Sequence, residues 1–420
     1  MSEIFSQILK YINKKKFSLC LGLMFFFLLY AKTFKFYPFT PCDWNSVILT
    51  FSYKYGFIQR GFLGTIIHAI THFLPSVSGS QVLIIFQYVT MLIFSISIIA
   101  IGIWSIHKLR AVTVPPHQKY YVYNFISVFY ICSFGYTTYY SSRSFGHSDI
   151  WLILLTVLAL ILIWHNKFLP AFICSIICMC IHQAYIFMYF NIFLIALLLI
   201  LAKEQHSNLR AKIIVAFICS FITCSALFVY FQFFSGVKAN ITYDYVREQA
   251  ISLTNSAYVD KYENYIKNYL FHAPSPSSYA DGLKNCGRYL RIELIAILPF
   301  IIELVHYWHD IVKQTNNIFR KIVYMASPLG IITTVPLFIM HTDYGRWIYS
   351  IYFYELTLIW LINSLDDNTV TLVTRQTIQR IQNNIIYYSF LFVYACSLGP
   401  LDKNQVRDFY YFFRIFLENM

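Results

Sequence analysis

Residues 150–166 read IWLILLTVLALILIWHN, and residues 185–202 read YIFMYFNIFLIALLLILA. Neither run carries a charged side chain. An α-helix needs about 20 apolar residues to cross the ~30 Å of hydrocarbon in a bilayer. Both runs fit that demand far better than they fit one face of a soluble helix, which would alternate with charge. Comparable runs fall at about 17–33, 81–106, 121–140, 168–182, 213–235, 292–308, 322–340, 348–363 and 385–400. His182 and Gln183 interrupt the nearly continuous stretch from 168 to 202. The expected fold is therefore all-α, a polytopic transmembrane bundle of about ten or eleven spans forming a single integral membrane domain over 1–420.

Composition agrees. The chain is 58% hydrophobic and 12% charged, with mean hydropathy +0.57, against roughly 25% charged in soluble domains. The 40 Phe and 35 Tyr fit an aromatic belt at the ends of spans, although a general compositional bias would also raise them. The net charge of +13 is not laid out as a basic stripe, so no nucleic-acid partner is expected. Anionic membrane lipids or a phosphate-bearing substrate match it better.

Short basic connections set the orientation. Lys10 and Lys14–Lys16 place the N-terminus in the cytoplasm. No small-residue cleavage site follows the 17–33 run, so it is expected to remain as an anchor. Alternation then puts Lys108 with Arg110, Lys167, Lys203 with Arg210 and Lys212, Lys313 with Arg320 and Lys321, and Arg375 with Arg380 inside. Two long segments, about 34–80 and 236–291, fall outside, together with short turns at 141–149, at His182 and at 341–347. The tail after Pro400 joins them if there are eleven spans. The first long loop mixes apolar and polar residues in a way that suits helices lying in the interface, with Gly56, Gly61 and Gly64 allowing tight turns. Cys42 and Cys286 both lie in the external loops and could pair if that side is oxidising. The other cysteines lie mostly in apolar runs, without zinc-site spacing.

The external turns carry the chemistry. One holds Arg143, His147 and Asp149, and another holds His341, Asp343 and Arg346. Each joins a His-x-Asp pair to an arginine beside a span, where charge is costly unless something offsets it. A plainer account makes them solvated turn residues, with Asp149 capping its helix. Asp43 sits just after the first run, and Arg60 stands in an apolar, glycine-punctuated stretch. An arginine there suits a phosphate, through two parallel hydrogen bonds, or snorkels to lipid. His182 reads as a further site histidine or as a satisfied core residue. His and Asp together could also hold a divalent cation. Walker, GxSxG and HExxH motifs are absent.

This layout resembles the GT-C class of integral membrane glycosyltransferases in topology, though not in any diagnostic motif. The parallels are Asp43 after the first span, the helical 44–75 segment, and a second large loop after the seventh span. The resemblance implies a bacterial inner-membrane enzyme of surface-polysaccharide biosynthesis. It would move a sugar from a polyprenyl-phosphate carrier to a glycan acceptor. It also implies Asp43 as catalytic base, Asp149 as a second acid, and Arg60, Arg143 and Arg346 as partners of the carrier phosphate. The class commonly has paired acids after the first span, whereas Asp43 is followed by Trp44. O-antigen polymerases resemble the chain in span number and external arginines. A lipid-linked sugar transporter is a third reading, but it would place polar groups deep in the spans.

Overall fold

The computed structural model describes residues 41–109, 139, 145–204, 206–271, 291–340, 344–365, 367–384, 386, 387 and 391. Among these residues the regular elements are helices and no strand occurs. The runs expected at 17–33 and 121–140, most of 385–400, and Arg143, Cys286, His341 and Asp343 lie outside the described residues.

Chain order gives α1 (Asp43–Ile48), a 3-10 turn at Tyr53–Tyr55, α2 (Gly61–Phe73), α3 (Gly79–Leu109) and α4 (Asp149–Trp164). Next come α5 (Phe168–Ile181), α6 (Tyr185–Met188), α7 (Phe190–Lys203) and α8 (Ser207–Phe233). Three short helices follow, α9 (Tyr243–Leu253), α10 (Ser256–Lys261) and α11 (Glu263–Phe271). Then come α12 (Arg291–Gln314), α13 (Ile318–Leu329), a 3-10 segment at Gly330–Thr334, α14 (Val335–Met340), α15 (Tyr344–Ser364) and α16 (Asn368–Asn383). By length and composition, three stretches can cross a membrane: Gly79–Ser97, Ser207–Phe233 and Ile318–Phe338. α2, α4, α5 and α7 are apolar but shorter.

Two expected spans are interrupted, each for a visible reason. The 185–202 run breaks at Tyr189, whose backbone (φ −135°, ψ −18°) leaves the helical region. Polar side chains take up the groups left at this break. The Thr333 and Thr334 hydroxyls each donate to the Phe187 carbonyl at 3.0 Å, and Asn191 Nδ2 donates to the Gly330 carbonyl at 2.8 Å. The 322–340 run tightens to 3-10 after Leu329, next to Pro328, whose missing N–H removes the helical bond to the Tyr324 carbonyl. Beside it, the Tyr354 hydroxyl donates to the Ser327 carbonyl. Non-helical backbone of this kind is tolerated at depth only when protein groups satisfy it.

The two long loops assigned to the outside fold onto each other. Val47, Ile48, Phe51, Tyr55 and Ile58 share a buried cluster with Val246, Ala250, Val259, Ile266 and Leu270. This cluster is distinct from the large core built by α3–α8 and α12–α16. Polar ties cross the same seam. The Lys238 N–H donates to the Tyr55 carbonyl at 2.8 Å, and Lys54 Nζ donates to Gln249 Oε1 at 2.8 Å. Gly56 sits at φ 143°, in the region that disfavours side chains, and a Cβ there would fall 2.7 Å from the Gly236 carbonyl oxygen. Gly61 and Gly64 lie within α2 and make no turn. A Cβ at Gly64 would fall 1.7 Å from the Phe51 carbonyl oxygen, so what this position requires is close packing.

Connections assigned to the inside meet at another place. Arg320 Nη1 pairs with Asp367 Oδ2 at 3.1 Å, Arg320 Nε donates to the Ala202 carbonyl at 3.4 Å, and Lys203 donates to the Leu365 carbonyl. Arg346 lies in the first turn of α15, whereas Leu365 immediately follows its last residue. Roughly 30 Å of helix separate them, close to the thickness of a bilayer core.

Candidate functional site

Gly146, at φ 67°, turns the chain ahead of α4. Its carbonyl accepts from Asn45 Nδ2 of α1, and its Cα packs so tightly on Gln87 of α3 that a Cβ would fall 2.5 Å from the Gln87 Cβ. The turn is thus clamped from both sides, and it delivers His147 and Asp149 to the interior. Asp149 opens α4, where a carboxylate favours the positive end of the helix dipole. Its backbone places it inside the first turn, so it does not act as the side-chain cap.

Arg346 reaches this turn from α15. Its Nη1 is 2.7 Å from Asp149 Oδ2 and 3.2 Å from His147 Nε2. A guanidinium only donates, so Nε2 must offer its lone pair. The proton of a neutral ring then sits on Nδ1, 3.3 Å from Asp149 Oδ1. That choice outranks the competing contact, in which the Asp149 N–H approaches the same Nδ1 at 3.2 Å. Arg346, His147 and Asp149 therefore meet in a nearly dry triad, with Asp149 fully buried and His147 3% exposed.

His182 closes α5. Its Nδ1 accepts the Ala184 N–H at 3.0 Å, which leaves Nε2 as the protonated nitrogen of a neutral ring. It lies within electrostatic reach of Arg60, Asp149, Arg346 and His147. Arg60 lies ahead of α2 in the left-handed region (φ 61°, ψ 12°), a conformation unusual for a residue with a side chain. It is buried, and its guanidinium stacks 4.4 Å from the centre of the Tyr269 ring. Among the described residues no carboxylate pairs with it.

The structure therefore gathers Arg60, His147, Asp149, His182 and Arg346 from four separate parts of the chain. Asp43 stays apart. Its side chain is 31% exposed and pairs with Lys261 Nζ at 2.8 Å on the rim between the two folded loops. Arg143, His341 and Asp343 lie outside the described residues. Among the described residues no group of three or more His, Cys, Asp or Glu is set to hold a metal. The His147–Asp149 pair closes on a guanidinium instead.

Several partners escaped the sequence reading. Gln59 Nε2 donates to the Tyr269 carbonyl at 3.1 Å, and Gln183 Nε2 donates in turn to Gln59 Oε1. The Tyr139 and Tyr189 hydroxyls lie 3.4 Å apart, in the field of Asp149 and Arg346. The available signal was weak: two amides in largely apolar sequence, each next to a residue already singled out.

Burial by itself would push the Asp149 carboxyl up, but His147 and Arg346 outweigh it and hold the group well below the usual carboxylate range. Burial pushes His147 down against the pull of Asp149, and Arg346 adds to that, so the ring stays neutral. Both shifts favour the folded state at neutral pH. An unfolded chain takes up a proton on this histidine below about pH 6.5 and on this aspartate below about pH 4, in each case before the folded protein does. Stability is therefore expected to be flat above about pH 7 and to fall in two stages as acid is added. Thermal unfolding in detergent from pH 8 to pH 4 checks this. His147→Gln should shrink the upper stage without abolishing it, because burial also holds His182 and His68 below the usual histidine range, and a wild-type midpoint that holds steady down to pH 4 would refute the assignment.

Comparison with known families, curated proteins and solved structures gives no match for this chain.

Proposed function

We propose that the chain is a polytopic membrane glycosyltransferase of about ten or eleven spans, with its N-terminus in the cytoplasm. It moves a sugar from a polyprenyl-phosphate carrier to a glycan acceptor at the non-cytoplasmic face of a bacterial inner membrane. The observation that carries this is the convergence of Arg60 and Arg346 on a buried histidine pair, with only one carboxylate among them. Arg346 pairs with Asp149, whereas Arg60 has no carboxylate partner among the described residues and rests on the Tyr269 ring. Such a charge favours an anionic group, and fixed donors around a departing phosphate are an effective way to stabilise it.

The chemistry follows from position. The acceptor hydroxyl attacks the anomeric carbon of the donor. The bond from that carbon to the phosphate oxygen breaks, and its electron pair leaves with the lipid phosphate, which Arg60 and Arg346 stabilise. The hydroxyl proton passes to Asp43, the half-exposed acid facing the side from which a water-borne glycan arrives. Asp149 orients Arg346. The core of the two folded loops supports this sidedness, because both loops then cover the same mouth.

A repeat-unit polymerase is the second reading, and one observation favours it: Asp43 stands outside the buried cluster, bound to Lys261. Comparing surface and lipid-linked glycans of a strain lacking the gene with those of its parent separates the two. Loss of a single side-branch sugar is the expected result. Single repeat units in place of long chains would instead point to the polymerase, and lipid-linked precursor trapped inside would point to a transporter.

A further inference from the structure

Three buried polar atoms at the cluster stand out. Among the described residues, Arg60 Nε, Gln183 Oε1 and Asp149 Oδ1 have no hydrogen-bond partner. Arg60 and Gln183 are each 9% exposed, and Asp149 is fully buried. The identity of the Gln183 atom is fixed by its neighbours. The Tyr269 carbonyl can only accept, so the Gln59 amide must turn its nitrogen there. Its oxygen then faces Gln183, which must answer with its own nitrogen. The oxygen of Gln183 is what remains, with no freedom to flip.

These three atoms make a pattern of one donor and two acceptors. A phosphodiester or a fully ionised phosphate carries acceptors only, so it can satisfy Arg60 Nε but neither Gln183 Oε1 nor Asp149 Oδ1. Those two need donors, and a group rich in hydroxyls supplies them. Asp149 Oδ1 has the His147 Nδ1–H 3.3 Å away, and a carboxylate oxygen has room to accept a second hydrogen bond. Among the described residues Gln183 Oε1 has no such neighbour. A buried acceptor left without a donor is costly, and a ligand that provides one recovers that cost.

We infer that the cluster takes in the sugar of the donor as well as its phosphate, with the phosphate on Arg60 and a sugar hydroxyl on Gln183 Oε1. This rests on the transferase reading and sharpens it. Gln183 becomes the residue that distinguishes one sugar from another, while the Gln59–Tyr269 link holds its amide in the orientation that does so. A second hydroxyl meets Asp149 Oδ1, which ties sugar recognition to the Arg346 triad. Gln183 precedes α6 and His182 ends α5, so a change of sugar would be felt at the histidine in the same turn.

The test uses the full chain in detergent and measures dissociation constants by calorimetry. The probes are citronellyl phosphate and a panel of citronellyl phosphoryl pentoses and hexoses. Citronellyl phosphate is expected to bind, and one sugar conjugate is expected to bind about tenfold tighter or more. Gln183→Met should erase that advantage and leave citronellyl phosphate unchanged, which also shows the variant to be folded. Arg60→Gln should weaken every probe. Monodeoxy versions of the preferred conjugate give a check on the wild type alone: removal of one hydroxyl should erase most of the advantage, with no further loss in Gln183→Met. The inference is overturned if no conjugate outbinds citronellyl phosphate, or if Gln183→Met keeps the preference. In either of those cases the phosphate site itself survives. Failure of citronellyl phosphate to bind wild-type protein overturns the transferase reading as well.

Discussion

Asp149→Leu is expected to destabilise the protein by about 3–5 kcal/mol, because it removes the fully buried carboxylate that pairs with Arg346 Nη1 at 2.7 Å. Arg346→Met should cost a similar amount, since it strands a fully buried carboxylate. The double variant is the informative one. Replacing both members of a buried pair by apolar side chains of similar size is often neutral or better, so Asp149→Leu with Arg346→Met should recover most of the lost stability. Sugar transfer should stay abolished in all three, because the arginine beside the departing phosphate is gone or misplaced. Thermal unfolding in detergent and transfer from a polyprenyl-phosphate sugar are measured side by side. A double variant as unstable as the sum of the singles would mean that the two residues do not act as a pair. A stable double variant with full activity would remove the triad from the mechanism.

The helical architecture was largely written in hydropathy. The helices at 79–109, 149–164, 168–181 and 207–233 begin and end close to the apolar runs that announced them. The breaks within runs were harder to see. Nothing in an isolated run shows that Asn191 will bind the Gly330 carbonyl, or that Thr333 and Thr334 will take up Phe187. Those partners lie some 140 residues away along the chain, and backbone satisfaction at depth is a tertiary property. The site divided in the same manner. Charged and titratable side chains in apolar surroundings stand out because their burial is costly, which is how Arg60, His147, Asp149, His182 and Arg346 came to notice. Neutral amides and tyrosine hydroxyls cost less to bury and are common in this chain. Gln59, Gln183, Tyr139 and Tyr189 therefore gained meaning only from their neighbours. The sequence made Asp43 the base and Asp149 a second acid, and the fold gives them opposite surroundings: one faces the rim and the other sits buried beside Arg346 and His147.

That contrast sets the sharpest expectation for catalysis. Asp43→Asn should lower sugar transfer about 10²–10⁴-fold, the range typical of losing a general base, while the unfolding midpoint barely moves. Stability should hold because Lys261 is exposed and Asp43 partly so, and ion pairs open to solvent contribute about 0–1 kcal/mol. Lys261→Met separates the two roles the carboxylate could have. If Asp43 serves as the base, Lys261→Met keeps transfer within a few-fold of wild type, because the carboxylate remains beside the mouth of the site. If Asp43 acts only by tying α1 to α10, both variants break the same tie and lose activity equally. Equal losses would sink the base assignment, and an active Asp43→Asn protein would do so more directly. Asp149 could not simply inherit the role, since Arg346 and His147 hold its carboxyl too low to take up a proton readily. The transferase mechanism would then be left without a carboxylate base among the described residues of this site, and the polymerase, which relies on external arginines, would become the stronger reading.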